Sequence, residues 1–170
     1  MKQTILVTGG TGFIGSHTSV DLSEARYNVA IIDNLSNSKM EVVDGIEKIT
    51  GVRPAFENVD LRDKEATEGV FKKYPGIAGI IHFAASKAVG ESVQKPLLYY
   101  RNNIVSLVNL LELMPKYNVK GIIFSSSCTV YGQPKPENLP VTEDAPHQKA
   151  TSPYGNTKEI NEQIIYDYIH

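Results

Sequence analysis

Apolar residues along this chain fall into two kinds of run. Short continuous ones, Ile5-Leu6-Val7, Val29-Ala30-Ile31-Ile32, Ile80-Ile81-His82-Phe83 and Gly121-Ile122-Ile123-Phe124, have the length of strands. Being apolar at successive positions, they predict strands buried on both faces of a parallel sheet. Ala55-Phe56-Glu57-Asn58-Val59 reads as one more strand. Between them lie longer helix-compatible stretches at about 14–24, 39–50, 63–74 and 96–117. Pro96 suits the first turn of the long helix, and Pro115 predicts distortion or shortening of its far end. This alternation predicts an α/β fold, a doubly wound parallel sheet. The segment 132–153 carries Pro134, Pro136, Pro140, Pro146 and Pro153 and reads mostly as loop. A last helix starts near Ser152-Pro153 and is still running at Tyr168, with no C-cap signal after it.

Composition narrows the class without naming a function. A chain of 170 residues with 41% hydrophobic and 21% charged residues is expected to form one soluble domain over 1–170. A formal net charge of -2 offers no basic field for nucleic acid or an anionic membrane. Cys128 is the only cysteine, which rules out an intrachain disulfide. The apolar run after Lys2 is too short for a signal-peptide core, and no segment approaches a membrane span. A cytoplasmic enzyme is the expectation. His17 and His82 lack metal-like spacing and read as structural, so no metal site is expected.

Gly9, Gly12 and Gly15 follow the first strand and open a helix, within Thr8-Gly9-Gly10-Thr11-Gly12-Phe13-Ile14-Gly15. Small residues there let the backbone turn tightly, approach a pyrophosphate and aim helix N-terminal amides at its charge. Glycine is also common in ordinary strand–helix turns, so the triplet alone decides little. Asp33 adds to it. It ends the second strand about 20 residues on, where a carboxylate can accept both hydroxyls of an adenine ribose and would repel a 2′-phosphate. NAD is therefore favoured over NADP. Asp33 could instead open the turn Asp33-Asn34-Leu35-Ser36-Asn37. Asp60, after the third strand, could face the adenine or cap the helix of Arg62-Asp63-Lys64-Glu65.

Two Tyr-x-x-x-Lys pairs occur. Tyr131 and Lys135 flank Gly132 and Pro134, so no helix holds them together. Tyr154 and Lys158 sit in the first turns of the last helix, on one face. An ammonium beside a phenol stabilises the phenolate, which would suit Tyr154 to act as a base. A solvated helix face is the alternative for an isolated pair. Ser125-Ser126-Ser127 leaves the fifth strand at the carboxyl edge, where open α/β sheets bind ligands. A hydroxyl there can donate to and accept from a substrate alcohol, while one or two of the three could serve only local backbone groups. Cys128 reads as a small packed residue.

With these residues in place, the chain resembles the extended short-chain dehydrogenase/reductases, and within them the nucleotide-sugar 4-epimerase branch. The resemblance rests on Val7–His17, Asp33–Ser38, His82–Ser92, Tyr99–Asn103, Ser125–Gly132 and Ser152–Lys158, and extends over essentially the whole chain. It implies that Phe13 and Ile14 lie on the pyrophosphate, with Asp33, Asn34, Asn37 and Ser38 around the adenosine ribose. Asp60 and Leu61 would flank adenine. Phe83, Ala84, Ala85, Lys87 and Asn102 would line the rest of the cofactor cleft. Tyr154 would be the base, Lys158 would hold the nicotinamide ribose, and Ser127 would bond the sugar 4-hydroxyl, with Lys87 also at the substrate. The implied activity is interconversion of UDP-glucose and UDP-galactose through a 4-keto sugar, in a homodimer that keeps its NAD.

Two departures stand out. Many members of that branch carry Gly-Leu where this chain has Ala85-Ser86. The family's remaining strands and C-terminal sugar-nucleotide domain would lie beyond His170, so the 170 residues are expected to be an incomplete Rossmann-like domain, inactive alone. A uronate epimerase or a 4,6-dehydratase is the competing enzyme reading, although Ser127-Cys128-Thr129 lacks the carboxylate that elimination uses. A non-catalytic NAD-binding module is the other alternative, and retention of Ser127, Tyr154 and Lys158 speaks against it.

Overall fold

The computed structural model describes residues 2–170. They form two compact units, one of residues 2–84 and 106–125, the other of residues 85–105 and 126–170.

The first unit is built on a five-stranded, all-parallel sheet. Its strands are β1 (Thr4–Thr8), β2 (Asn28–Asp33), β3 (Ala55–Asn58), β4 (Ile77–His82) and β5 (Ile122–Phe124), in the order β3-β2-β1-β4-β5. Val7 pairs in register with Ile31 on one side and Ile81 on the other. Helices α1 (Phe13–Glu24) and α2 (Glu41–Thr50) connect β1 to β2 and β2 to β3, moving outward in one direction. After α3 (Lys64–Lys73) the chain returns past β1 to β4 and proceeds the other way. Right-handed crossovers therefore put α1 and α2 on one face and α3 with the end of α5 on the opposite face. This is the doubly wound Rossmann-type arrangement expected from the apolar runs.

The alternation of strand side chains splits the core accordingly. Val7, Val29 and Ile31 form a buried cluster with Ile46 of α2, flanked by Val20 and Leu22 of α1. Leu6, Ala30 and Ile32 point the other way and are equally buried. On that side α3 and the end of α5 are tied together by the Phe71–Tyr117 ring contact at 5.4 Å and by Tyr117 Oη donating to Glu68 Oε1 at 2.7 Å. The direction of winding reverses between β1 and β4, so their carboxyl ends form the switch point where such sheets take ligands. The first glycine turn and Phe83-Ala84 both emerge there.

The second unit comprises α4 (Val89–Gln94), α5 (Pro96–Lys116) as far as Val105, a 3-10 turn at Cys128–Tyr131, a second at Pro136–Asn138, and α6 (Pro153–Ile169). Ser152 caps α6 by accepting from the Gly155 amide at 3.1 Å, with Pro153 in the first turn, as the sequence predicts.

Several boundaries differ from expectation. Strand β4 begins at Ile77, three residues before the apolar run, because Ala78 and Gly79 are small and break the hydrophobic signal. Helix α4 is a single short element that periodicity did not reveal. Pro115 lies within the last turn of α5 and does not shorten it; the helix ends after Lys116, and Asn118 takes a left-handed φ of 57°. Cys128 is exposed where a packed residue was expected, because it opens a 3-10 turn whose buried position is Val130.

Candidate active site

In the first unit the glycine turn is shaped by exclusion. Gly9 has a φ of +67°, and a side chain there would meet the Ala84 amide nitrogen at 2.7 Å. At Gly15 a Cβ would collide with the Gly9 carbonyl oxygen and stand 2.9 Å from Gly10 Cα. Gly10, outside the triplet, is needed as well: a Cβ there would lie 2.7 Å from the Ile31 side chain, so it lets the turn settle on β2. Helix α1 opens at Gly12 with no side-chain cap and no acidic residue in its first turn. Its amino end is thus left electropositive. Phe13 and Ile14 stand on the surface, 77% and 59% exposed, unusual for side chains of their size.

Asp33 makes the turn that its position allowed, and it also holds the glycine turn. Its Oδ1 accepts from the Leu35 amide at 2.9 Å, which makes the turn, and from Ser38 Oγ at 3.3 Å. Its Oδ2 accepts from the Thr11 amide at 3.3 Å, and Thr11 and Ser38 hydroxyls meet at 2.6 Å. The glycine turn and the Asn34–Ser38 segment are thereby drawn around one carboxylate. Asn34 and Asn37 are exposed, with Asn34 Oδ1 taking the Ser36 amide at 3.0 Å.

Asp60 does not cap α3. Asp63 does, accepting from Ala66 at 2.9 Å, because it stands immediately before the first helical residue. Asp60 instead pairs with Arg62 Nη2 at 2.5 Å and receives the Arg62 amide at 3.0 Å. These hydrogen bonds from Arg62 hold its carboxyl below the usual range, with a further contribution from Asn34. Leu61 beside it is buried. His82 is also buried, its Nδ1 2.6 Å from Thr8 Oγ1, and is structural as expected; exposed His17 packs on Phe13. Phe83 and Ala84 follow at the carboxyl end of β4, the Ala84 amide reaching Thr8 Oγ1 at 3.4 Å.

In the second unit α6 carries Tyr154 and Lys158 on one face, with Lys158 Nζ 6.0 Å from the centre of the Tyr154 ring. Lys158 is 4% exposed, and burial pulls its ammonium down to about 8, opposed by the Glu162 carboxylate. Tyr99 is fully buried beneath this region. Burial, the Glu91 hydrogen bond at 2.9 Å and its interaction with Tyr154 push its phenol up, so it stays a proton donor. Ser127 heads the 3-10 turn. Its Oγ accepts from Thr129 N at 3.3 Å and Thr129 Oγ1 at 3.0 Å, which leaves its own hydrogen to be offered outward. Gly155, next to Tyr154, admits this turn: a Cβ there would sit 3.1 Å from Thr129.

The sequence reading missed what fixes these groups. Asn103, 1% exposed, accepts from the Ser86 amide at 2.8 Å and donates to the Ser86 carbonyl at 3.0 Å and to Thr157 Oγ1 at 3.0 Å. Asn161 Nδ2 donates to the Asn103 carbonyl at 3.1 Å. Ala85-Ser86-Lys87 is therefore clamped to α6, while Lys87 itself is exposed. Asn102 Nδ2 donates to Ser86 Oγ at 3.1 Å, so the serine at this departure from the usual pattern is itself engaged. The available signal was a pair of adjacent asparagines inside a helix, where Asn is a poor helix former.

Residues 6–170 match a family model described as GDP-mannose 4,6 dehydratase. The chain belongs to this family. Its relatives include UDP-glucose 4-epimerases of Schizosaccharomyces pombe, 54% identical over 98% of the chain, and of Bacillus subtilis, 52% identical over 97%. A crystal structure of UDP-glucose 4-epimerase from Bifidobacterium longum in complex with NAD+ and UDP superposes on 97% of this chain, with a TM-score of 0.93 and 48% identity. The chain spans about half the length of these relatives, 47% and 48% of the two sequences and 48% of the solved chain. Among the described residues, no helix is long and apolar enough to cross a membrane.

Proposed function

We propose that the protein carrying this chain is an NAD-dependent UDP-glucose 4-epimerase, interconverting UDP-glucose and UDP-galactose through a 4-keto sugar. The observation that carries the reading is Tyr154 with buried Lys158 one turn on, beside a turn headed by a serine with a free hydrogen to donate. The residues present fit a dinucleotide: Gly9 and Gly15 fold the turn too tightly on its own backbone for any side chain, α1 opens uncapped, and Asp33 reaches the same turn. Bound NAD would supply the acceptor for the hydride at sugar C4 and give it back to the other face.

Gly9, Gly12, Gly15, Phe13 and Ile14 would hold the pyrophosphate, with Asp33, Asn34, Asn37 and Ser38 at the adenosine ribose and Asp60 and Leu61 beside adenine. Phe83, Ala84, Ala85, Lys87 and Asn102 would complete the cofactor contacts, with Lys87 also at the substrate. Tyr154 accepts the 4-hydroxyl proton and later returns it. Ser127 donates to the same sugar oxygen, which fixes the carbon–oxygen bond while its hydrogen count changes. Lys158, charged below about pH 8, stabilises the Tyr154 phenolate and holds a ribose hydroxyl. A 4,6-dehydratase would need an acid–base group beside the serine; positions 128 and 129 hold Cys and Thr, and Thr129 is committed to Ser127. A cytoplasmic homodimer is part of the proposal, supported by the resemblance, the single cysteine and exposed Leu97 and Leu98 at the start of α5.

The test is a coupled assay of UDP-galactose turnover in the whole protein. Tyr154→Phe is expected to lose about 10²–10⁴ in kcat, the usual worth of a positioned acid–base group. Turnover at the parental rate in that variant would remove Tyr154 from the mechanism.

A further inference from the structure

One charged side chain next to this constellation has no role in the reading above. Glu162 stands one turn beyond Lys158 on α6, so Tyr154, Lys158 and Glu162 follow one another at four-residue spacing along a single face. Its Oε1 receives a short hydrogen bond from the hydroxyl of Ser126, the residue before Ser127. Its Oε2 lies 3.9 Å from His147 Nδ1. His147 is held in turn by an edge-on contact with Tyr131 at 5.1 Å, in the 3-10 turn that Ser127 heads. One carboxylate thus touches the serine segment, the proline-rich loop and the helix of Tyr154.

The geometry points to Glu162 as a positioning residue for the epimerase reaction, fastening the Ser127 segment to α6 through Ser126 and supplying the negative charge that keeps buried Lys158 protonated beside Tyr154. It rests on the epimerase reading for the meaning of Ser127, Tyr154 and Lys158. The charge is needed because Lys158 is almost wholly withdrawn from water, and burial alone disfavours its ammonium. Two further titratable groups on the elements packed here are otherwise engaged. Glu91 of α4 is taken by Lys95 at 3.1 Å and by the Tyr99 hydroxyl, and Tyr100 of α5 receives Asn156 Nδ2 at 2.6 Å. His147, half exposed, would compete for Glu162 when protonated. The two roles are separable: the fastening needs an acceptor oxygen, whereas the support of Lys158 needs a charge.

Glu162→Gln keeps the shape and the acceptor but removes the charge, and Ser126→Ala removes the bond but keeps the charge. The ionisation of Lys158 is followed in the intact protein by its ε-carbon resonance after labelling of lysine, assigned by its loss in Lys158→Met. Glu162→Gln is expected to lower the Lys158 midpoint by about one unit, and to move the alkaline fall of kcat down with it. Glu162→Asp is expected to restore most of that shift. Ser126→Ala is expected to leave the midpoint in place and lower kcat about tenfold at constant pH profile, with KM little changed. A Lys158 midpoint unmoved in Glu162→Gln overturns the proposal, as does an equal displacement in Ser126→Ala. The titration needs no turnover, so an inactive parent protein would count against the epimerase reading and leave the Lys158 result to decide the role of Glu162.

Discussion

The two compact units solve the same problem, holding chemistry in place, with different materials. In the first, the glycine turn is set by what is missing. Gly9, Gly10 and Gly15 have no side chains because the Ala84 amide, Ile31 and the Gly9 carbonyl already occupy that space. The polar groups it presents are backbone amides and one carboxylate that also ties its own loop. In the second, the positions around Tyr154 are set by buried polar side chains: Asn103, Thr157, Lys158 and Asn161 are all at most 4% exposed. Among the described residues, Asn161 Oδ1 is a buried side-chain atom without a hydrogen-bond partner, the kind of cost an apolar core avoids. Backbone exclusion shapes a surface at low energetic risk. Buried polar networks place individual atoms, and they fail sharply when one member is lost.

That contrast breaks first at Asn103. Asn103→Ala strands the Ser86 amide and carbonyl inside the second unit, and takes from the Thr157 hydroxyl one of its two bonds, leaving the one it donates to the Tyr154 carbonyl at 2.7 Å. At about 1–3 kcal/mol per buried group left unpaired, partly relieved by water, a loss of about 3 kcal/mol is expected in denaturant unfolding. Its half-buried neighbour gives the control: Asn102→Ala is expected to lose under about 1 kcal/mol. Equal losses would mean that the clamp on Ser86 does not hold the unit together.

Lys158 supplies the next largest effect, and its sign follows from the folded value of about 8 against an ordinary 10.5. Between those values the unfolded chain binds more protons than the folded one, so stability rises with pH across that window. Below about 8 the full cost of burying the charge is present. Lys158→Met is therefore expected to be more stable than the parent by about 2–3 kcal/mol at pH 7, and the gain should shrink towards zero by about pH 10.5. Chemical denaturation of both proteins at pH 7, 9 and 10.5 measures the gap, and tyrosine ionisation common to both cancels. A gap that stays constant with pH would show that Lys158 is not held as a strained cation.

The same contrast explains what could be read without a structure. Strand runs, the glycine turn, the end of β2 at Asp33 and the Ser152-Pro153 start of α6 are local signals, each decided within a few residues. The candidate site residues on those segments stand out in the sequence for that reason. Asn103 and Glu162 do not, because their roles depend on residues 17 or more positions away, at Ser86 and Ser126, that only the folded chain brings near. Asp60 shows the limit from the other side. Its local alternative was a helix cap, but Asp63 sits three residues nearer the helix and takes that bond. Cys128 misled because polarity predicts burial only on average, while a 3-10 turn exposes whichever residue opens it.

Within the first unit the exclusion argument is graded, and the grading is testable. A Cβ at Gly15 would overlap the Gly9 carbonyl, and that backbone oxygen is fixed by its bond from the Gly12 amide at 3.0 Å. At Gly12 the nearest atom to a Cβ is 3.2 Å away, which a small adjustment accommodates. Gly15→Ala is expected to cost about 2 kcal/mol of stability as an overpacking substitution, and Gly12→Ala under about 1 kcal/mol. Thermal unfolding of the two variants decides it, and the reverse order would mean that the turn is not shaped by backbone exclusion.

The smallest effect belongs to the Asp60–Arg62 pair, and it marks where charge stops mattering to the fold. Both side chains are about one-third exposed, so solvent screens the pair and an exposed ion pair contributes roughly 0–1 kcal/mol. The folded carboxyl of Asp60 is held low, so whatever it contributes is present above about pH 4 and is lost as pH falls through and below that value. Asp60→Asn keeps an acceptor for the Arg62 amide and is expected to change stability by less than about 0.5 kcal/mol at pH 7, with no difference near pH 2. If the proposed position of Asp60 beside adenine is right, the variant's NAD affinity falls while its unfolding midpoint stays put. A fall in both would return Asp60 to a structural role.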